Sequence, residues 1–241
     1  MFNTLHFETI GSCNRTCPTC IRNSHPDRAE TLSWFQNTLL DENLIYQALE
    51  EALTLGFNGS VILSHYNEPL MDQRLPRIAH KVRSYPVGDV YLHTNADFLT
   101  SELAAALDGA LDHMQITLYM NNTKAAKRAA WISTLFQKTV TGITTIAESP
   151  HMATHFSPMP DLQKKIQEKQ NRPCNLTPQI IINHRQQYLL CCDDVVGNFG
   201  LGTFPEISIQ EHWFGKAQKI NANLSLAGGR SQYPYCMSCP K

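Results

Sequence analysis

Three cysteines fall within eight residues, Cys13-Asn14-Arg15-Thr16-Cys17-Pro18-Thr19-Cys20, spaced four and then three apart. That spacing lets three thiolates converge on one metal centre while a coordination position stays open. An open position is where a substrate or cofactor binds a metal, whereas four protein ligands close a site and make it structural. Thiolates are soft ligands that select zinc, copper(I) or iron–sulfur clusters. From the octapeptide alone two readings stand: an iron–sulfur centre with a free position, or a zinc knuckle completed by a distant His or Cys.

The other five of the eight cysteines lie at the far end: Cys174, the adjacent Cys191 and Cys192, and Cys236-x2-Cys239. A hairpin end, a loop and the tail can bring four thiolates together into a closed site, for which structural zinc is again an alternative. Successive strand residues point to opposite faces, so Cys191 and Cys192 cannot both aim at one centre without a bulge. The position just after the hairpin favours Cys191 and leaves Cys192 as a spare, packed thiol.

These groups must be positioned by a chain of 241 residues, 42% of them hydrophobic, enough for one substantial core and a small appended unit. A formal net charge of -1 and the absence of a long Lys/Arg run give no footprint for a nucleic-acid or membrane surface. No apolar stretch approaches the ~20 residues needed to span a bilayer, and the N-terminus lacks a signal-peptide pattern. The reading is a cytoplasmic protein whose cysteines bind metal in place of forming disulfides.

The elements alternate. Leu5 to Ile10 reads as a first strand leading into the cysteine loop. Asp41 caps a helix from Glu42 to about Leu55 whose apolar residues recur with helical period. Ser60 to Leu63 is a second strand, Gln73 to Ser84 a helix, Asp89 to His93 a third strand, and Thr100 or Ser101 caps a helix through Leu107. Met114 to Leu118, a helix from Thr123 to Gln137, Val140 to Ala147, and a weak sixth strand near Met152 to Phe156 complete the series. Pro158 to Arg172 reads as an exposed polar helix or a linker, and Gln179 to Ile182 with Gln187 to Leu190 form a β-hairpin. Such alternation predicts a parallel α/β sheet with right-handed crossovers, which an open sheet or a barrel satisfies equally.

The Cys13-x3-Cys17-x2-Cys20 loop after a first strand resembles the signature of the radical S-adenosylmethionine (SAM) superfamily. The resemblance implies that Cys13, Cys17 and Cys20 hold a [4Fe-4S] cluster whose fourth iron is chelated by SAM. Reductive cleavage then yields a 5'-deoxyadenosyl radical that abstracts hydrogen from an unactivated carbon. It also implies a partial (β/α)6 TIM barrel over residues 1–157 and an electron donor such as flavodoxin or ferredoxin. Thr19 departs from the aromatic residue often found before the third cysteine.

In parallel α/β folds ligands lie at the C-terminal strand ends. Tyr66-Asn67-Glu68-Pro69 resembles the family's Gly-Gly-Glu-Pro segment, in which backbone and acid receive the methionine ammonium of SAM; Glu68 and Pro69 match it residue for residue. Thr94-Asn95-Ala96 resembles the family's Thr-Asn-Gly turn near the SAM ribose. If the last position needs a positive φ, Ala96 requires a different turn. Thr117 and Tyr119 are candidates for the SAM carboxylate or the substrate, or are barrel-lining residues. His93, His113, His151 and His155 sit near strand ends, but a lone His is more often structural than catalytic and none is assigned a role. The glycine-and-acid motif of many relatives near strand five is not recognisable.

Residues 173–241, with 158–172 as linker, resemble the shorter, twitch form of the SPASM extension. This implies one auxiliary [4Fe-4S] cluster on Cys174, Cys191, Cys236 and Cys239. A spare Cys192 could be inert or could donate hydrogen to a product radical. Among small twitch members the layout is most similar to 2-deoxy-scyllo-inosamine dehydrogenases, which oxidise an aminocyclitol alcohol to a ketone. The expected activity is a two-electron oxidation of a small molecule. Maturation of a peptide substrate, or isomerisation or epimerisation of a sugar or nucleoside, is the alternative, and a non-catalytic zinc protein is the alternative from another class.

Overall fold

The computed structural model describes residues 1–18, 20–25, 33, 35–146, 161–174 and 178–240. Strands β1 (Thr4–Phe7), β2 (Ser60–Ile62), β3 (Val90–Thr94), β4 (His113–Leu118) and β5 (Val140–Thr145) run parallel. On the other side of β1 lies β6 (Gln179–Ile182), also parallel, followed by antiparallel β7 (Tyr188–Leu189). The order across the seven-stranded sheet is β5-β4-β3-β2-β1-β6-β7.

Period-two alternation gives the sheet two unlike faces. Leu5, Phe7, Val61, Leu63, Val90, Leu92, Met114, Ile116 and Leu118 are fully buried and belong to one apolar core. The alternate residues His6, Ile62, Tyr91, Gln115 and Thr117 are only half-buried, and His93 is exposed. This second face, opposite the helices, is more polar and less buried, and is the lumen face of the sheet.

Helices cover the first face. After the short α1 (Ile21–Ser24), helix α2 (Glu42–Thr54) starts where Asp41 accepts a hydrogen bond from Asn43 N, and it buries Ile45, Ala48, Leu49 and Ala52. Helix α3 (Leu75–Arg83) buries Leu75, Ile78, Ala79 and Val82. Helix α4 (Ser101–Leu107) is capped by Thr100, and α5 (Asn122–Ile132) by Asn121. Helix α5 stops five residues before the expected Gln137. There the Ser133 and Thr134 hydroxyls donate to the Ala129 and Trp131 carbonyls and compete with helix continuation.

Within the 158–172 segment, α6 (Leu162–Lys169) takes the helical of the two readings of that polar stretch. Helix α7 (Ile209–His212) opens on a capping box between Ser208 and Glu211, and α8 (Gln218–Leu224) and α9 (Pro234–Met237) complete the tail. The expected hairpin is present as β6–β7, but its first strand pairs with β1, so the barrel sheet continues directly into it. The sixth strand expected at 152–156 lies outside the described residues. Among the described residues no helix is long and apolar enough to cross a membrane.

Candidate active site

Strand β1 hands the chain through Gly11 into the cysteine loop. A Cβ at Gly11 would lie 2.6 Å from Gln36 O and from the His184 ring, so only glycine lets the loop pass between them. Cys20 stands at the start of α1, with its N–H donating to Cys17 O at 3.1 Å, and Asn23 Nδ2 donates to the same carbonyl. The loop is moored to the ends of β3 and β4. Arg15 pairs with Asp97 at 2.6 Å and lies 5.0 Å over the Tyr119 ring. Asn14 donates to Asp97 at 2.7 Å and accepts from Asn95 Nδ2 at 2.9 Å.

Burial pushes the Cys13 thiol up and the Cys20 thiol up to about 11, against the nearby Arg22 charge, and both are raised further by Cys17. The three thiols thus share one electrostatic neighbourhood. Arg22 is itself buried, 4.2 Å over Phe35, and donates to Tyr66 O at 2.9 Å. Among the described residues no three His, Cys, Asp or Glu side chains are gathered tightly enough to hold a metal ion. The fit to an iron–sulfur centre with SAM rests on the soft donor set and on one buried orphan. Asn67 Nδ2 is buried without a hydrogen-bond partner, while Asn67 Oδ1 accepts from His65 N at 2.9 Å. An unpaired buried N–H costs about 1–3 kcal/mol, which a carboxylate oxygen of a ligand would relieve.

Glu68 is buried and heavily engaged. Its Oε1 accepts from Leu70 N at 3.0 Å and from Thr94 Oγ1 at 2.6 Å, and its Oε2 from Asn95 N at 2.8 Å. It therefore caps the short helical turn Pro69–Met71 and ties the two strand-end segments together. Burial raises its pKa despite those bonds. A carboxylate offers about four acceptor positions, so one remains for a ligand ammonium. Thr94 and Asn95 are buried beside it. Ala96 takes φ +56 itself, with its N–H on Thr94 Oγ1 at 2.9 Å; the turn keeps the left-handed geometry and alanine bears the strain. Thr117 is half-buried on the lumen face, opposite Thr144 of β5.

At the other end, Cys174 N donates to Leu224 O at 2.7 Å, which sets this thiol against α8. Cys236 is pushed up to about 12 by burial first and then by Cys239 and Cys174, so these three thiols also form one neighbourhood. Cys191 is buried, and its thiol is raised well above the usual range by burial and by Cys192. Asp194 staples the turn after the hairpin, accepting from Leu190 N and Asn198 N. The Tyr235 hydroxyl donates to Asp193 O, joining the tail to this turn, and its environment includes Cys191 and Cys239. A cavity of about 580 Å3 opens beside this tail, lined by Phe199, Lys216, Ile220, Tyr233 and Tyr235 among others.

Two features are not in the sequence reading. The first is a buried pair at 2.6 Å, Glu8 Oε2 with His184 Nδ1; Glu8 Oε1 also accepts from Tyr66 N at 3.1 Å. Burial alone would raise the Glu8 pKa, but the His184 bond and charge overcome it and lower it. The second is a row of imidazoles on the lumen side. His6 is lowered to about 3 by burial and then by His65 and His93, and His93 is lowered by burial. Alternation along β1 and one residue past it places His6 and Glu8 on the polar face, which was the available signal; their partners come from distant segments.

No protein-family model matches the chain, and no curated protein sequence matches it. Solved structures do. The crystal structure of BtrN in complex with AdoMet and 2-DOIA superposes with a TM-score of 0.76 at 19% identity, covering 100% of this chain and 94% of that one. A second BtrN structure, in an open conformation, gives a TM-score of 0.71 at 20% identity over 100% of this chain and 93% of that one. Native anSMEcpe with bound AdoMet gives 0.62 at 10% identity, covering 98% and 88%. The fold is therefore that of the radical SAM partial-barrel enzymes.

Proposed function

We propose that this chain is a radical SAM oxidoreductase that removes two electrons from a small hydroxyl-bearing substrate. The observation that carries the reading is the mooring of the three-cysteine loop, through Asn14, Arg15, Asn95 and Asp97, onto strand ends that also carry Glu68 and the unpaired Asn67 Nδ2. In this reading Cys13, Cys17 and Cys20 would hold a [4Fe-4S] cluster, which together with SAM would supply the hydrogen-abstraction chemistry. Asn67 Nδ2 donates to the SAM carboxylate and the remaining acceptor position of Glu68 takes its ammonium. The Thr94-Asn95 turn fixes Glu68, and Thr117 lines the adjoining wall.

The C-terminal thiols Cys174, Cys191, Cys236 and Cys239 would hold a second [4Fe-4S] cluster, which would supply a one-electron acceptor. The assignment of Cys191 over Cys192 is supported by its burial and by its approach to Tyr235, which also feels Cys239. An electron-carrier protein such as flavodoxin or ferredoxin supplies the starting electron. BtrN, which shares the fold along nearly its full length, is in complex with 2-DOIA, and this favours a polyhydroxylated ring as substrate.

The test is anaerobic reconstitution followed by incubation with reductant, SAM and 2-DOIA. The expected products are 5'-deoxyadenosine, methionine and an oxidised ring. Protein with confirmed iron and sulfide that forms neither 5'-deoxyadenosine nor methionine would overturn the reading.

A further inference from the structure

We propose that His93 orients the substrate: its neutral imidazole, with the proton on Nε2, donates a hydrogen bond from the lumen wall to an oxygen of a hydroxyl-rich substrate. The inference deepens the oxidoreductase reading by naming a group that selects the substrate.

Position comes first. His93 lies on the open face of β3, immediately before the Thr94-Asn95 turn that holds Glu68, and it is exposed at the lumen surface. Beside it are Ser64 after β2, His6 of β1, and Gln115, its register partner on β4.

The proton is placed by Ser64, which is buried. Its Oγ accepts from His93 N at 3.0 Å and lies 3.3 Å from His93 Nδ1. A serine hydroxyl has one proton to give, and a buried hydroxyl proton without an acceptor is costly. Among the described residues the acceptor in reach is His93 Nδ1. Ser64 therefore donates to Nδ1, and the proton of the neutral ring resides on Nε2, which has no hydrogen-bond partner among the described residues. Desolvation by the walls keeps the ring neutral by lowering its pKa. What meets this wall is an N–H donor beside the His6 ring, whose pKa is lowered to about 3, a surface suited to hydroxyl or carbonyl oxygens.

The experiment uses the oxidised, anaerobically reconstituted protein labelled with 15N-histidine, and calorimetric binding of 2-DOIA and scyllo-inositol in the presence of SAM. The His93 resonances should show a protonated Nε2 and a bare Nδ1, and Ser64→Ala should convert them to a tautomer mixture. His93→Gln, which keeps a donor at a similar reach, should bind the polyols within a few-fold of the parent. His93→Phe, which keeps the ring but has no donor, should lose about tenfold, the worth of one neutral hydrogen bond. A proton on Nδ1, parental binding by His93→Phe, or a parent that binds neither polyol would overturn the proposal. A parent that binds a polyol through His93 but cleaves no SAM would sink the radical reading and leave this assignment standing.

Discussion

Single residues carry opposing demands in this site. Ala96 is buried with φ +56, where a Cβ costs roughly 1–2 kcal/mol, and it is held there because its N–H and that of Asn95 are both claimed by the Thr94–Glu68 unit. Replacing it with valine puts a β-branched side chain in that region, and Ala96→Val should lower stability by about 2 kcal/mol, measured by chemical denaturation. Ala96→Gly should be tolerated, since the relieved strain offsets the added chain entropy.

His6 makes a second residue-scale prediction. Its folded pKa, about 3, lies below its ordinary value of 6.5, so the unfolded chain binds more protons between those values. Stability is then fully present above about 6.5 and declines as pH falls toward 3. Thermal melts of His6→Gln should show a shallower acid limb than the parent; an identical limb would refute the assignment.

At the scale of elements, the decisive join is between β1 and β6. Their parallel pairing brings Glu8 and His184 together although they are 176 residues apart, and Glu8 also holds the Tyr66 amide on the segment after β2. One buried carboxylate thus locks three strand ends around the lumen. Removing Glu8 leaves two buried donors, His184 Nδ1 and the Tyr66 amide, without their acceptor at about 1–3 kcal/mol each, so Glu8→Ala should cost about 2–6 kcal/mol. Hydrogen exchange should locate the loss at the Tyr66 and His184 amides, both of which point at Glu8.

Across the whole molecule the two cysteine neighbourhoods are connected through one residue. Tyr66 is gripped by Arg22 from the first loop and donates its hydroxyl to Asp193 at 3.2 Å, while Asp193 O receives the Tyr235 hydroxyl next to Cys236. Burial and Asp193 raise the Tyr66 pKa, and Cys192, Cys20 and Cys191 add to it, so Tyr66 senses thiols of both groups. If each group holds a four-iron cluster, Cys236→Ser should lower bound iron from about eight to about four per chain. The remaining cluster should still cleave SAM, but the substrate should lose its second electron poorly. Iron and sulfide analysis beside 5'-deoxyadenosine and product yields checks this, and loss of all iron would contradict two independent sites.

How much of this is legible from the chain depends on the range of the interaction. The cysteine spacings, the Asp41 and Thr100 caps, and the strand-helix alternation are local, and each is visible because its physics acts within a few residues. The same holds for the Glu68-Pro69 and Thr94-Asn95 segments, whose place just past β2 and β3 follows from that alternation. What only the tertiary structure decided is long-range. The hairpin joins the barrel at β1, Glu8 finds His184, Glu68 takes hold of Thr94 and Asn95 at the next strand end, and Ser64, just past β2, meets the His93 ring. Sequence periodicity specifies which face a side chain takes, but strand order and register choose what it meets there. Those are settled by the pairing of distant segments, which leaves no local trace.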